Sequence, residues 1–177
     1  MKEPSVLAPS ITNQEWQIRY ATLDDIDKIC VLMKKIILSL RGIAPEKFVV
    51  GESNLFQSSI AANLIRGYLT KPGHIFLVAE TTTPQLIGLS RGQKENTICK
   101  LSFLGVHPDY RSRGLGRALL SQFLHEAQRL QVNKVFLFTL PQLSTAVRLY
   151  KQNGFIQEGY LQKHFFGEDM LILSLFF

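Results

Sequence analysis

One loop combines the residue types that bind phosphate: the run Arg111-Ser112-Arg113-Gly114-Leu115-Gly116, followed directly by Arg117. It comes after an apolar, strand-like run that stops near Pro108, and it leads into a helical pattern of apolar residues. The first N–H groups of a helix have no acceptor within the helix and lie at the positive end of its dipole. The glycines let this backbone approach a ligand, and the arginines add charge-assisted hydrogen bonds. The loop therefore predicts a site for phosphate oxygens.

Two other phosphate-binding loops fit this segment poorly. A P-loop ends in Gly-Lys-Ser/Thr, and that ending is absent here. The dinucleotide fingerprint would use residues 114–119, but Leu119 takes the place of its third glycine or alanine. Asn133 and Lys134 then stand where that class has its ribose-binding acid. We therefore expect a phosphorylated ligand of another kind.

The elements that must position the loop follow from hydrophobic periodicity and turn residues. Their order is strand, two helices, three antiparallel strands, helix, strand, helix and two strands, which predicts an α/β (α+β) fold with helices covering a mixed sheet. We expect strands at residues 16–20, 74–80, 86–93, 97–106, 132–140, 155–161 and 169–177. Helices should begin after Thr22 (capped with Asp25), at Ser53, at Gly114 and at Gln142, and residues 42–52 should form a loop.

Length and composition favour one compact domain. A chain of 177 residues with 46% hydrophobic residues can bury one sizeable core, so we expect a domain over residues 14–177 behind a flexible tail at 1–13. No apolar run of about 18 residues is present to span a membrane, and the start does not resemble a secretory leader. The expectation is a cytoplasmic protein without a membrane partner.

Charge and cysteine content exclude other classes. The net charge is +6, but the basic residues are scattered except for Arg111, Arg113 and Arg117, which favours a small phosphorylated cofactor over a nucleic acid. Cys30 and Cys99 lack the spacing of a zinc site or a disulfide framework. We expect buried reduced thiols and no metal.

Two segments resemble the motifs of one family. Residues Leu104–Leu120 resemble motif A of the GNAT N-acetyltransferase superfamily, and Ala146–Phe155 resembles motif B. The resemblance implies a GNAT-like mixed, mostly antiparallel, splayed central sheet covered by about four helices. It also implies an N-acetyltransferase that uses acetyl-CoA as acyl donor. Backbone groups around Leu104, Gly105 and Val106 would then bind the pantetheine arm, while Arg111 to Gly116, with Arg117, would hold the pyrophosphate.

The resemblance also assigns a catalytic role to Tyr150, as the donor to the departing CoA thiolate. Because the reference pKa of tyrosine, about 10, exceeds that of a thiol, about 8.5, hydrogen bonding to the thiolate is expected to be the larger part of that role. Packing of the helix on the sheet is the alternative role for Tyr150.

The general base is not identified by the resemblance. Many relatives carry Glu at the position of Lys100, and a charged lysine cannot accept a proton. Glu95, His107 and His164 are weak candidates, so deprotonation through water stays open. Leu143 stands where an asparagine often contacts the cofactor, and neighbouring Ser144 or Thr145 could substitute for it.

The acceptor is predicted only as a primary amine of a small molecule, peptide or protein. Its specificity should come from the first two helices, from the loop at 42–52, which carries Glu46 and Glu52, and from the turn near Phe165-Phe166. One alternative is a catalytically weak or inactive acyl-CoA-binding module, since Lys100 and Leu143 depart from the family pattern. Another is a homodimer formed through the apolar run Leu171–Phe177, although a core strand is favoured for that run.

Overall fold

The computed structural model describes residues 12–13, 15–56 and 59–177. The tail expected at residues 1–13 lies outside these ranges except for Thr12 and Asn13, which form a two-residue strand paired with Trp16 and Gln17.

Eight strands form one sheet, and five α-helices and two short 3-10 helices occur in the described part of the chain. The strands are β1 (Thr12–Asn13), β2 (Trp16–Tyr20), β3 (His74–Thr81), β4 (Leu86–Glu95), β5 (Ile98–Val106), β6 (Lys134–Thr139), β7 (Ile156–Phe165) and β8 (Glu168–Phe176). The helices are α1 (Ile26–Leu38), α2 (Glu46–Leu55), α3 (Ser59–Thr70), α4 (Leu115–Arg129) and α5 (Ser144–Gln152), with 3-10 turns at Leu23–Asp25 and Pro108–Tyr110. Sheet order is β1-β2-β3-β4-β5-β6-β8-β7, and β5 with β6 is its parallel pair. The predicted mixed, mostly antiparallel sheet is confirmed.

The prediction of a loop at residues 42–52 is wrong, because most of these residues belong to α2. This helix begins directly after Pro45, a residue that suits a helix start. Its buried residues are Val49 and Ser53, too few to make a helical stripe visible in the sequence, and Gly51 lowers helix propensity further. Ser53 therefore lies inside a helix and caps none, and its hydroxyl donates to the carbonyl of Val50 at 3.1 Å.

The sheet has two differently covered faces. On one, which we call the α4 face, Leu119 and Phe123 of α4 pack with Leu77, Ile87 and Leu101. On the other, the α1 face, residues of α1 and α3 pack with the sheet residues Phe76, Val78 and Leu89. Side chains alternate between faces along each strand except at the register shifts, one of which lies between the pairs Gly92–Leu101 and Arg91–Phe103, so the face of a residue follows from its immediate neighbours in these two clusters.

The sheet opens between β5 and β6. These strands pair only over Ile98–Lys100 and Lys134–Phe136. Beyond Phe136, β6 continues with β8 as far as Thr139, while β5 continues with β4 as far as Val106. The result is the predicted splayed sheet, whose opening starts immediately after Lys100.

The apolar run at the end of the chain is an internal strand. β8 pairs with β6 on one side and β7 on the other, and Leu173 is buried. The favoured reading of Leu171–Phe177 as a core strand is confirmed, although Phe176 and Phe177 at its end are exposed.

An ion cluster joins the start of α1 to the sheet. The carboxylate of Asp25, which is buried, accepts from the Thr22 backbone N–H at 2.8 Å and from two nitrogens of the Arg19 guanidinium at 2.7 and 2.9 Å. Arg19 also donates to Glu80 at 3.0 Å. The Arg19 hydrogen bonds are the main cause that lowers the pKa of Asp25 to about 2. Asp25 thus does more than complement the helix dipole.

Candidate active site

The loop predicted to bind phosphate connects β5 to α4. After the turn at Pro108–Tyr110, the backbone adopts positive φ at Ser112 (62°) and again at Gly114 (81°), which is the N-cap of α4. The first helical hydrogen bond runs from the Ala118 N–H to the Gly114 carbonyl at 3.0 Å. The N–H groups of the residues between them have no acceptor within the helix and point out of its positive end. This is the geometry expected of an oxyanion site.

The two glycines of the loop have different roles. Gly114 needs its positive φ, but a Cβ there would meet nothing within 4 Å. At Gly116 a Cβ would lie 3.7 Å from Leu149 and 3.8 Å from Val106, which is ordinary van der Waals contact. The protein alone therefore tolerates a methyl group at Gly116, whereas at Gly114 the positive φ would strain it although the space is open. The open surface above this turn fits a ligand that approaches the backbone closely.

The three arginines are not equivalent. Arg111 donates to the Val106 carbonyl at 3.2 Å and to the Ser39 hydroxyl at 2.5 Å, so it ties the loop to β5 and to the end of α1. Burial lowers the pKa of the Arg111 guanidinium. Arg117 is exposed and makes no hydrogen bond or ion pair with any residue in the described ranges. Arg111 is therefore placed to shape the loop, and Arg117 is free to meet an anion.

Arg113 lies between these extremes. It donates to the Asp109 carbonyl at 3.2 Å, lies 5.3 Å from the Tyr110 ring centre, and approaches Glu15 at 3.7 Å. All three contacts are exposed enough to rearrange.

One edge of β5 faces the opening of the sheet. The N–H of His107 donates to the Ile87 carbonyl on β4 at 2.8 Å. Because the backbone groups of a strand alternate in direction, those of Gly105 also face β4, whereas those of Leu104 and Val106 face the opening. Gly105 has a steric requirement, since a Cβ there would lie 2.9 Å from Ile36 of α1. Leu104 and Val106 are thus the residues that can hydrogen-bond an extended ligand in the opening.

Tyr150 lies on α5, beside the same opening. Its neighbour Leu149 contacts the region of Gly116, as described above, and the Tyr150 ring packs 5.6 Å from that of Phe155. Tyr150 is 6% exposed, and its burial raises the pKa of the phenol. Its hydroxyl accepts or donates no hydrogen bond among the described residues. The side chain is both a packing residue and a neutral O–H donor adjacent to the opening.

Lys100 lies at the closed end of the opening. It is the last residue of β5 that pairs with β6, and its partner is Phe136. Since its neighbours Cys99 and Leu101 belong to the α4-face cluster, Lys100 projects on the α1 face. Its ammonium lies 4.9 Å from the ring centre of Phe138 and has no carboxylate partner among the described residues.

The three weak candidates for a base are separated by the fold. Glu95 is exposed at the end of β4. His107 is buried against α1, where its Nδ1 accepts from the Asp109 N–H at 3.3 Å, and burial together with Lys35 lowers the pKa of the imidazole. His164 is exposed on β7, and its ring lies 5.7 Å from that of Phe138. Only His164 is brought near Lys100.

The remaining residues considered for cofactor or acceptor binding differ in their surroundings. Leu143 forms the N-cap of α5 and packs with apolar neighbours, and Ser144 and Thr145 are exposed. Glu46 forms an exposed ion pair with Arg41 at 3.5 Å. Glu52 is different, because burial raises the pKa of its carboxyl while nearby Arg91 opposes that shift.

Sequence reasoning missed an aromatic bridge across the α1 face. The Phe166 ring covers Gly51 of α2 so closely that a Cβ there would lie 2.4 Å from it. Phe48 meets the rings of Phe165 and Phe166 edge-on, each at 6.2 Å. We call these residues, Phe48, Gly51, Phe165 and Phe166, the aromatic bridge. Two adjacent phenylalanines at a predicted hairpin turn are the signal in the sequence that could have indicated a contact there. The neighbouring residues do not show which distant element the two rings contact.

Arg91 on β4 was also missed. It follows Leu89 on the α1 face, where it stands as a lone charge among apolar strand residues, which is the signal that could have found it. Its guanidinium stacks on Tyr68 at 3.9 Å, and its Nε is buried without a hydrogen-bond partner in the described structure.

The described residues contain no group of three or more His, Cys, Asp or Glu side chains able to hold a metal ion. Cys99 is buried and Cys30 half-buried, and both are free thiols. Outside residues 1–11, 14 and 57–58, no helix has the length and apolar character needed to cross a membrane.

Comparison with known proteins places these features in one family. The model of the acetyltransferase (GNAT) family matches residues 40–155, which include β5, the loop before α4, and Tyr150. N-acetylaspartate synthetase from Xenopus tropicalis is 24% identical over 75% of this chain and 49% of its own length. Ribosomal protein bS18-alanine N-acetyltransferase from Escherichia coli K12 is 31% identical over 41% of this chain and 51% of its own. The chain thus spans about half the length of these curated relatives.

Solved structures share the fold. PaiA N-acetyltransferase from Thermoplasma acidophilum, solved in complex with coenzyme A, superimposes with a TM-score of 0.76 at 20% identity, over 92% of this chain and 99% of that one. The ribosomal-protein-S18-alanine N-acetyltransferase from Escherichia coli gives a TM-score of 0.69 at 18% identity, over 90% and 92%. At these identities the likeness shows the fold.

Proposed function

Because the chain belongs to the acetyltransferase (GNAT) family, we propose that it is an N-acetyltransferase that moves an acetyl group from acetyl-CoA to a primary amine. The observation that supports this most directly is the opening of the sheet beyond Lys100 and Phe136, which lies beside the unpaired amides at the start of α4. An extended donor held along this opening would present its thioester to the α1 face while its phosphates stay on the α4 face.

The donor side uses mainly backbone groups. In the proposal, the N–H groups at the start of α4 bind pyrophosphate oxygens together with Arg117, and Arg111 and Arg113 keep the loop in shape. The backbone groups of Leu104 and the N–H of Val106, whose carbonyl already accepts from Arg111, bind the amides of the pantetheine arm. Acetyl-CoA supplies an activated acyl group, the thioester.

Tyr150 is proposed to stabilise the leaving thiolate. The acceptor nitrogen forms a bond to the thioester carbonyl carbon, the carbon–sulfur bond breaks, and its electron pair stays on sulfur. Burial keeps the Tyr150 phenol protonated, so its O–H can donate a hydrogen bond to that sulfur. Since the pKa of the phenol exceeds that of a thiol, this role is hydrogen bonding without net proton transfer.

The amine must lose a proton during the reaction. A protonated Lys100 cannot accept it, and no carboxylate pairs with Lys100 in the described residues. We propose that the proton leaves through water to solvent.

A turnover assay with a binding control tests the proposal. The protein is mixed with acetyl-CoA and a panel of amines, amino acids and N-terminal peptides; thiol release and the mass of the acetylated product are followed, and CoA binding is measured by calorimetry. We expect amine-dependent thiol release, and a several-fold weaker CoA affinity for Arg117→Gln than for the exposed control Arg66→Gln. CoA binding without turnover across the panel would instead support the acyl-CoA-binding module. Failure to bind any acyl-CoA would overturn both.

A further inference from the structure

The acceptor side of the opening carries positive charge that the protein leaves unneutralised. Lys100 stands at the apex of the opening on the α1 face, its ammonium lies 4.9 Å from the Phe138 ring centre, and it has no acidic partner in the described residues. An ammonium over an aromatic ring is stabilised weakly compared with a well-formed ion pair. The site is therefore incomplete in charge without an anionic group from outside.

A second cation faces the same way. Gly92 of β4 meets Phe123 on the α4 face, so the adjacent Arg91 projects on the α1 face, the face of Lys100. Arg91 stacks flat on Tyr68, and its Nε is buried without a partner among the described residues. The nearby acid, Glu52, is close enough for Arg91 to oppose the rise of its pKa on burial. Lys100 and Arg91 (+2) with Glu52 (−1) sum to +1, so these three groups carry one uncompensated positive charge.

The aromatic bridge limits the size of what can reach these cations. Phe48 belongs to the same apolar cluster as Phe138, whose ring Lys100 approaches. Phe165 and Phe166 cross from the β7–β8 hairpin to Phe48 and Gly51 of α2. The hairpin and α2 are thus joined over the α1 face, and this contact favours a compact acceptor over one that would have to displace it.

From the charge and the bridge, we propose that the acceptor is a small amine that carries a carboxylate, that is, an amino acid or a close analogue, and that Lys100 determines this specificity by binding the carboxylate. The inference rests on the proposed N-acetyltransferase function. The reaction balances as before: the carbon–nitrogen bond forms, CoA leaves as the thiolate, and the amine proton passes to water. The carboxylate itself takes no part in the bond changes, and a polycationic amine is disfavoured by repulsion.

Matched substrate pairs test the inference. We would measure kcat/KM for aspartate, glutamate, glycine and alanine against the same compounds with every carboxyl group converted to an amide, and against spermidine and a peptide with N-terminal alanine. For the wild type we expect at least a tenfold preference for the best amino acid over its uncharged partner lacking that carboxylate, over spermidine and over the peptide. One charge-assisted contact commonly gives a tenfold to hundredfold effect.

Variants of Lys100 connect the preference to the residue. Lys100→Gln should lose about tenfold to a hundredfold in kcat/KM for the amino acid and little for its uncharged partner, and Lys100→Arg should retain most of the preference. Lys71→Gln, an exposed lysine in the turn before β3, is the matched control and should change neither. Unaltered CoA affinity in calorimetry shows that each variant is folded.

The outcomes separate the two proposals. Equal kcat/KM for amines with and without a carboxylate would overturn this inference and leave the proposed function intact. A preference for the carboxylate that persists in Lys100→Gln would do the same. A peptide acceptor that outperforms every free amino acid would also overturn it. No transfer to any amine despite CoA binding would overturn the proposed function, and this inference with it.

Discussion

The two faces of the opened sheet offer ligands different parts of the chain. On the α4 face, the loop from Arg111 to Gly116 and the edge of β5 present backbone groups from one continuous segment. On the α1 face, the groups that could meet a ligand are half-buried side chains from several separate elements, including Lys100 of β5, Arg91 of β4 and Phe48 of α2. A site made of backbone is fixed by local conformation, while a site made of distant side chains can change one residue at a time. We therefore expect changes on the α4 face to alter donor binding and changes on the α1 face to alter acceptor binding.

Tyr150→Phe should have the largest effect, because Tyr150 is proposed to act directly on the leaving thiolate. Loss of the O–H is expected to lower kcat by about a hundredfold or more, the usual range for a positioned donor, while the ring packing against Phe155 is kept. Steady-state kinetics and CoA calorimetry measure the two effects separately. Full kcat in this variant would mean that Tyr150 is a packing residue alone.

Gly116→Ala tests the donor face and should weaken CoA affinity by about tenfold, because the methyl group would stand between the ligand and the backbone of the first helical turn. The free protein should not suffer, since that methyl makes ordinary contacts at 3.7 and 3.8 Å and alanine is favoured in a helix by up to about 1 kcal/mol.

The expected signature of Gly116→Ala is a higher Tm together with a higher Kd for CoA, measured by thermal unfolding and calorimetry. Acceptor KM at saturating acetyl-CoA should stay unchanged. A lower Tm would show that the residue is glycine for reasons of packing.

Gly51→Ala tests the acceptor face. The added methyl would lie 2.4 Å from the Phe166 ring, so the ring must swing away and the aromatic bridge must loosen. We expect acceptor KM to rise several-fold while the Kd for CoA is unchanged, which is the opposite pattern to Gly116→Ala. Gly67→Ala on α3, where a Cβ would meet nothing within 4 Å, is the matched control. If acceptor KM is the same in both variants, the bridge does not border the acceptor site.

The contrast between the faces also explains what the sequence could predict. The hydrophobic periodicity of the strands and helices predicted the sheet and its covering helices. The run from Leu104 to Gly116 identified the donor loop because the groups proposed to bind the donor lie in one continuous segment. The roles of the arginines were not separable, since Arg111 is held by Ser39, 72 residues earlier. Likewise the contacts of Lys100 with Phe138 and of Gly51 with Phe166 arise only from the strand order and the bridge. Helix α2 was missed because it buries two residues and contains a glycine.

Asp25 lies away from the proposed donor and acceptor sites. Of the variants proposed, Asp25→Asn should have the smallest effect on kinetics and should mainly lower stability. The Asp25 pKa of about 2 is below the ordinary value of 3.8, so the folded state favours the charged carboxylate. This contribution, about 2 kcal/mol, is fully present above pH 4 and is lost as the pH falls from about 4 to 2. In Asp25→Asn the free energy of unfolding should be lower at pH 7 by about that amount and should depend less on pH below 4. Denaturant unfolding across this range measures the free energy of unfolding, with exposed Asp24→Asn as the neighbouring control.

Both KM values of Asp25→Asn should stay at wild-type levels near neutral pH, because Asp25 contacts Arg19 and Thr22 at the far end of α1 from Ser39. A change in either KM would show that the ion cluster is coupled to the opened part of the sheet.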